Sequence, residues 1–166
     1  MLVALLWWTL DRREHANLQG KIQNEADYHA SYVDADLRNR IPSLRRMVHR
    51  WEFRGEVPKD EFIHDAQAYL SDSPGLHALE WADKNLSVRW VVPLKGNESD
   101  LNLNLADEQN RRSAREEARL TRSPAMTAPV DLAHGGKGLL VFFPIYSHGE
   151  FNGFILAVFR IQEWLN

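Results

Sequence analysis

Apolar and polar positions change their spacing three times along this chain. The first ten residues, MLVALLWWTL, are almost wholly apolar, and DRREHANLQGKIQNE then turns sharply to charge. From Asp11 to Trp51 the apolar residues Leu18, Ile22, Ala26, Val33, Leu37, Ile41, Leu44, Val48 and Trp51 recur mostly every three or four positions. That spacing predicts one long helix with a narrow apolar stripe. Its last part, Leu37, Ile41, Leu44 and Val48, alternates as a heptad does, the geometry of a helix paired with a like helix. Packing of the same stripe on the chain's own domain is the competing reading. Gly20 weakens the helix, and Pro42 removes a backbone donor and should kink it.

The segment EFRGEVPKDE breaks the helical period. Pro58 to Leu70 then places Phe62, Ala66, Tyr69 and Leu70 on one face of a short second helix, which the turn SDSPG ends. Strand patterns follow. LHALEWA and SVRWVVPL are rich in β-branched and aromatic residues, with Asp83-Lys84-Asn85 as the turn between them. A loop leads into a third helix from about Ala106 to Leu120, with Asp107 placed to cap it. PAMTAPVDL, KGLLVFFPIY and GFILAVFRI predict three more strands, the last two joined across Ser147-His148-Gly149-Glu150. Five strands with a helix between the second and third predict an α+β domain, one antiparallel sheet with flanking helices, an order that resembles the PAS-like fold.

The apolar start covers only about half of a bilayer core at 1.5 Å per helical residue. It lacks the basic lead and small-residue cleavage site of a signal peptide. It reads as the end of a membrane helix, with Trp7 and Trp8 at the headgroup level, or as an apolar N-terminus docked on the domain. The organisation expected is a membrane-helix end over residues 1–10, a helical stalk over 11–54 and an α+β domain over 55–166.

A net charge of −3 leaves no electrostatic footprint for nucleic acid. The absence of cysteine removes disulfides, thiolate metal sites and a Cys nucleophile. No HExxH pair is present. HGGKG at 134–138 precedes a β-rich run instead of a helix and predicts a hairpin turn, not a phosphate loop. Arg111, Arg112, Arg115, Arg119 and Arg122 alternate with acidic residues at helical spacing, as on a solvated, salt-linked face. No cofactor is implied, and nothing points to an enzyme in this segment.

Six ordered motifs carry a family resemblance: ALEW at 78–81, RWVVPLKGNE at 89–98, NLADEQNRR at 104–112, AMTAPVDL at 125–132, GGKGLLVFFPIY at 135–146 and NGFILAVFRI at 152–161. Together they resemble the CHASE family. The resemblance implies an extracytoplasmic input region flanked by membrane helices, dimerised through its stalk, and coupled to a cytoplasmic histidine kinase or diguanylate cyclase. It also implies a small organic ligand. Two departures stand out. Larger relatives carry an insertion between ALEW and RWVV where a tight turn is read here. Asn104 replaces an Asp that contacts ligand in many relatives, so cytokinin recognition, known in the plant member, is not supported.

A sensor pocket needs apolar walls with a few aimed polar groups. The candidates are Trp81, Arg89, Trp90, Asn104, Met126, Thr127, Phe142 and Tyr146, with Arg89, Asn104 and Thr127 orienting the ligand against Trp90 and Met126. Each aromatic is equally read as core packing. The function expected is an extracytoplasmic, inner-membrane-tethered sensing domain acting as a homodimer through Leu37, Ile41, Leu44 and Val48. The alternative is a structural dimerisation or periplasmic protein-interaction module without a small ligand.

Overall fold

The structure is a computed structural model that describes residues 35, 37, 39–56, 58–132 and 135–164. The decapeptide 1–10 and Leu18, Ile22, Ala26 and Val33 lie outside the described residues. One compact unit runs from Arg40 to Asn166, so the C-terminal part of the expected stalk belongs to the same unit as the sheet. It contains helix α1 (helical over 40–54), α2 (Lys59–Asp72), β1 (Leu76–Ala82), β2 (Val88–Val92), α3 (Arg112–Thr121), β3 (Ala125–Met126), β4 (Val130–Asp131), β5 (Lys137–Ser147) and β6 (Glu150–Arg160).

The sheet is antiparallel in the order β2-β1-β6-β5-β3, with β4 also pairing β5. The PAMTAPVDL segment therefore makes two short strands where the sequence reads one. The β4–β5 pairing, Val130 with Gly138 and Asp131 with Lys137, makes a hairpin there, as expected of that stretch. The long strands β5 and β6 meet in a two-residue turn in which His148 (φ 53°) and Gly149 (φ 85°) both adopt the left-handed conformation that matches strand twist. Gly153 is dictated by crowding. A Cβ there would lie 2.1 Å from the Ala82 carbonyl oxygen of the neighbouring strand.

Strand alternation sorts the sheet's side chains onto two faces. Ala78, Val91, Leu140, Phe142, Phe154, Leu156 and Val158 form one core with Leu105, Ala114 and Ala118 of the cross-over segment and α3. Trp81 and Trp90 face the other way, where Trp90 meets Phe62 of α2 at 5.5 Å and Phe62 meets Trp51 of α1 at 5.4 Å. Leu37, Leu44, Val48 and Trp51 are buried in the single chain and Ile41 is half-buried. Leu44 and Val48 are thus covered within the single chain, the competing of the two readings of this stripe.

The third helix differs from expectation. Residues 105–111 form two short 3-10 turns, and the α-helix begins only at Arg112. Asn104 caps the first of these turns, its Oδ1 accepting from the Ala106 N–H at 3.0 Å, and α3 itself has no side-chain cap from Asp107 or any other described residue. Nor is the arginine series a uniformly solvated face. Arg112 makes the expected link to Glu116 at 2.7 Å, but Arg111 and Arg115 are buried, and Arg115 donates to the Leu105 carbonyl.

Candidate functional site

Between the end of α1 and the sheet lies a cleft of about 610 Å³, within the usual size of small-molecule sites. Its aromatic lining is Trp51, Trp81, Trp90 and Phe151, and its charged lining is Glu56, Lys84 and Glu150. Each element contributes for a local reason. Trp81 and Trp90 are register partners on β1 and β2, so their indoles stack at 4.3 Å and 27°. The β1–β2 turn holds Lys84 beside them because Asp83 Oδ1 accepts from the N–H groups of Asn85 and Ser87. The β5–β6 turn supplies Glu150. Trp51, the last stripe residue of α1, is 4% exposed, and its Nε1 has no hydrogen-bond partner. A buried donor left unmet costs about 1–3 kcal/mol.

The end of α1 is fastened to both neighbours. Glu52 accepts from the Tyr146 N–H at 3.0 Å, and Arg50 and Arg54 pair with Asp65 and Glu61 of α2. Tyr69 of α2 donates to the Ser43 carbonyl at 3.1 Å.

The opposite face holds a compact polar interior and almost no space. His77, Glu80, Asn97, Asp100, Arg111 and Arg160 surround a void of about 10 Å³. Glu80 is 2% exposed, and burial, with the nearby charge of Asp100, pushes its carboxyl up to about 8 against the opposing pull of Arg111. His77 and Asn97 are hydrogen-bonded at 3.0 Å, and Asn97 also donates to the Pro93 carbonyl.

Of the residues predicted from sequence, only Trp81 and Trp90 meet at the cleft. Arg89 is exposed and donates to Asp83 at 2.7 Å; burial works against the Asp83 carboxylate, but the hydrogen bonds from Arg89, Ser87 and Asn85 outweigh it and hold its pKa below the ordinary value. Asn104 is a turn cap. Thr127 is buried, its Oγ1 accepting from the Leu140 N–H at 3.1 Å. Met126 is exposed, and Phe142 packs against Phe154 in the filled core. Tyr146 donates its hydroxyl to the Arg119 carbonyl at 2.6 Å. Trp51, Glu56, Lys84 and Glu150 were missed. They come from two turns and a helix end, and the signal available was the pair of tryptophans, Trp81 and Trp90, flanking the β1–β2 turn. Among the described residues, no group of three or more His, Asp or Glu side chains could hold a metal ion.

The sequence profile of the CHASE domain matches residues 42–166, most of the chain. The chain belongs to the CHASE domain family. No curated protein matches it in sequence. Solved structures show that this CHASE domain has the fold of extracellular sensor domains. An extracellular ligand binding receptor from Desulfohalobium retbaense superposes with a TM-score of 0.67 at 12% identity, over 82% of this chain and 24% of that one. The ligand-binding domain of the Pseudomonas aeruginosa amino acid chemoreceptor PctC, in complex with GABA, gives 0.59 at 12% identity, over 89% and 62%. The sensory domain of the Campylobacter jejuni chemoreceptor Tlp3 with isoleucine bound gives 0.60 at 11%, over 82% and 55%. The CHASE chain thus spans between a quarter and three-fifths of these structures. Among the described residues, no helix is long and apolar enough to cross a membrane.

Proposed function

We propose that this CHASE domain is the extracytoplasmic input module of a membrane receptor and binds a small organic molecule in the cleft between α1 and the sheet. The observation that carries the reading is the cleft itself: about 610 Å³ of space with tryptophan walls, beside the C-terminal end of α1. A ligand touching both Trp51 and the Trp81–Trp90 pair bridges α1 to the sheet. It therefore favours one position of α1, and through α1 it biases a histidine kinase or diguanylate cyclase output domain. The small organic molecules carried by PctC and Tlp3 support that ligand size. Homodimerisation belongs to the proposal. Because Leu44 and Val48 are covered, it is measured on the parent chain by sedimentation, and Leu44→Asp reports on folding.

A thermal-shift screen of metabolites tests the reading. A ligand present at a hundredfold excess over Kd stabilises the fold by about 2.7 kcal/mol. The expected result is a hit whose shift Trp81→Ala and Trp90→Ala abolish. Equal shifts in both variants place the ligand elsewhere. A reporter inserted at Asn97-Glu98-Ser99 in the membrane-bound parent should read outside the cytoplasm; a cytoplasmic signal overturns the location. The second reading, a structural module without ligand, is favoured by one observation, the filled α3 face with its void of about 10 Å³.

A further inference from the structure

Resting on the reading of the cleft as the ligand site, we infer that its occupant is a small methylated ammonium compound bearing an oxygen acceptor a few bonds from the nitrogen. The walls are aromatic: Trp51, Trp81 and Trp90 line the cleft, and the Trp81–Trp90 stack backs onto Phe62. Phe151, also in the lining, already seats the Arg119 guanidinium 4.6 Å from its centre. Indole faces attract a cation through the ring quadrupole. The charged lining leans the same way, with carboxylates at Glu56 and Glu150 against one ammonium at Lys84.

The number of acceptors decides between kinds of ammonium. A primary ammonium leaving water has three N–H groups to satisfy, and they need three converging acceptors. Glu56 and Glu150 are both exposed, so they supply a negative field at the mouth, while the wall behind them carries the half-buried Trp81 and Trp90 and the buried Trp51. A methylated ammonium has few or no N–H groups to satisfy and spreads its charge over methyls that pack on rings. The other end of the ligand is set by donors: the Lys84 ammonium and the Asn152 amide both call for an oxygen.

Glycine betaine, glycine and 3,3-dimethylbutanoate test this on the full chain, titrated by calorimetry and tryptophan fluorescence. Betaine carries the methylated cation, glycine a primary ammonium, and the butanoate replaces the nitrogen by carbon. Betaine should bind at least tenfold tighter than either comparator. Trp81→Leu and Trp90→Leu, each checked for folding by circular dichroism, should weaken it about tenfold, and Glu150→Gln severalfold. If the carbon isostere binds as well and both Trp variants lose it, the cationic class is wrong while the cleft stands. Glycine binding more tightly than betaine also overturns the class. Betaine binding that neither Trp variant changes removes the cleft itself, and failure of all three compounds to bind overturns the inference.

Discussion

Glu80 sits in the middle of β1 with its side chain turned into the polar interior, facing Asp100 and Arg111, with His77 and Arg160 around the same void. Burial raises its carboxyl to about 8, so the folded state keeps a proton that the unfolded state releases above about 4.5. The unfolded state then binds fewer protons, and stability falls as pH rises through that window. We expect the unfolding free energy from urea titrations to drop between pH 5 and pH 9 by on the order of a few kcal/mol more in the parent than in Glu80→Gln, which keeps the shape and removes the titration. Equal pH slopes for the two would show that Glu80 is not the group responsible. Gly153 makes a second residue-scale case. Its φ of 118° and the 2.1 Å approach of the Ala82 carbonyl leave no room for a methyl group. Gly153→Ala should cost roughly 3 kcal/mol or more, read as a fall in melting temperature.

At the scale of elements, what places Trp51 is the way α1 ends. Tyr146 turns its N–H toward the same side of β5 as Leu140, but β3 and β4 do not reach that far along the strand. Glu52 accepts this otherwise open edge donor. Glu52→Ala should cost about 1–3 kcal/mol and speed hydrogen exchange at the Tyr146 amide, while Glu52→Gln, which keeps an acceptor oxygen, should recover most of both. An unchanged exchange rate in Glu52→Ala would mean that α1 is held by its links to α2 alone. Periodicity made the helices and the long strands readable because each carries an unbroken 3.6- or 2-residue pattern. It could not show that 105–111 would wind as 3-10 turns, since Asn104 captures a backbone N–H locally and Arg111 and Arg115 are drawn inward. The direction of the α1 stripe was equally hidden: a heptad fits a partner helix and the chain's own sheet alike.

Across the whole molecule, one sheet separates two unlike jobs. The face toward α3 is close-packed around Phe142, Phe154 and Leu156, all fully buried, whereas the face toward α1 keeps an open cleft. Alternation placed the aromatic residues on strands but gave no sign of which face would be filled, so Phe142 and Trp90 looked alike in the sequence. The structure predicts that they separate under mutation. Phe142→Ala removes a ring from a region with no space to absorb it and should cost about 3–5 kcal/mol, yet leave the affinity of any cleft ligand unchanged once the variant is folded. Trp90→Ala removes a half-buried ring from the cleft wall, so it should cost less stability and remove most of the binding. Urea melts and ligand titrations of both variants at low temperature decide it. If Phe142→Ala weakens binding as much as Trp90→Ala, the two faces are coupled through the sheet. If Trp90→Ala binds normally, the open face is not where the ligand sits.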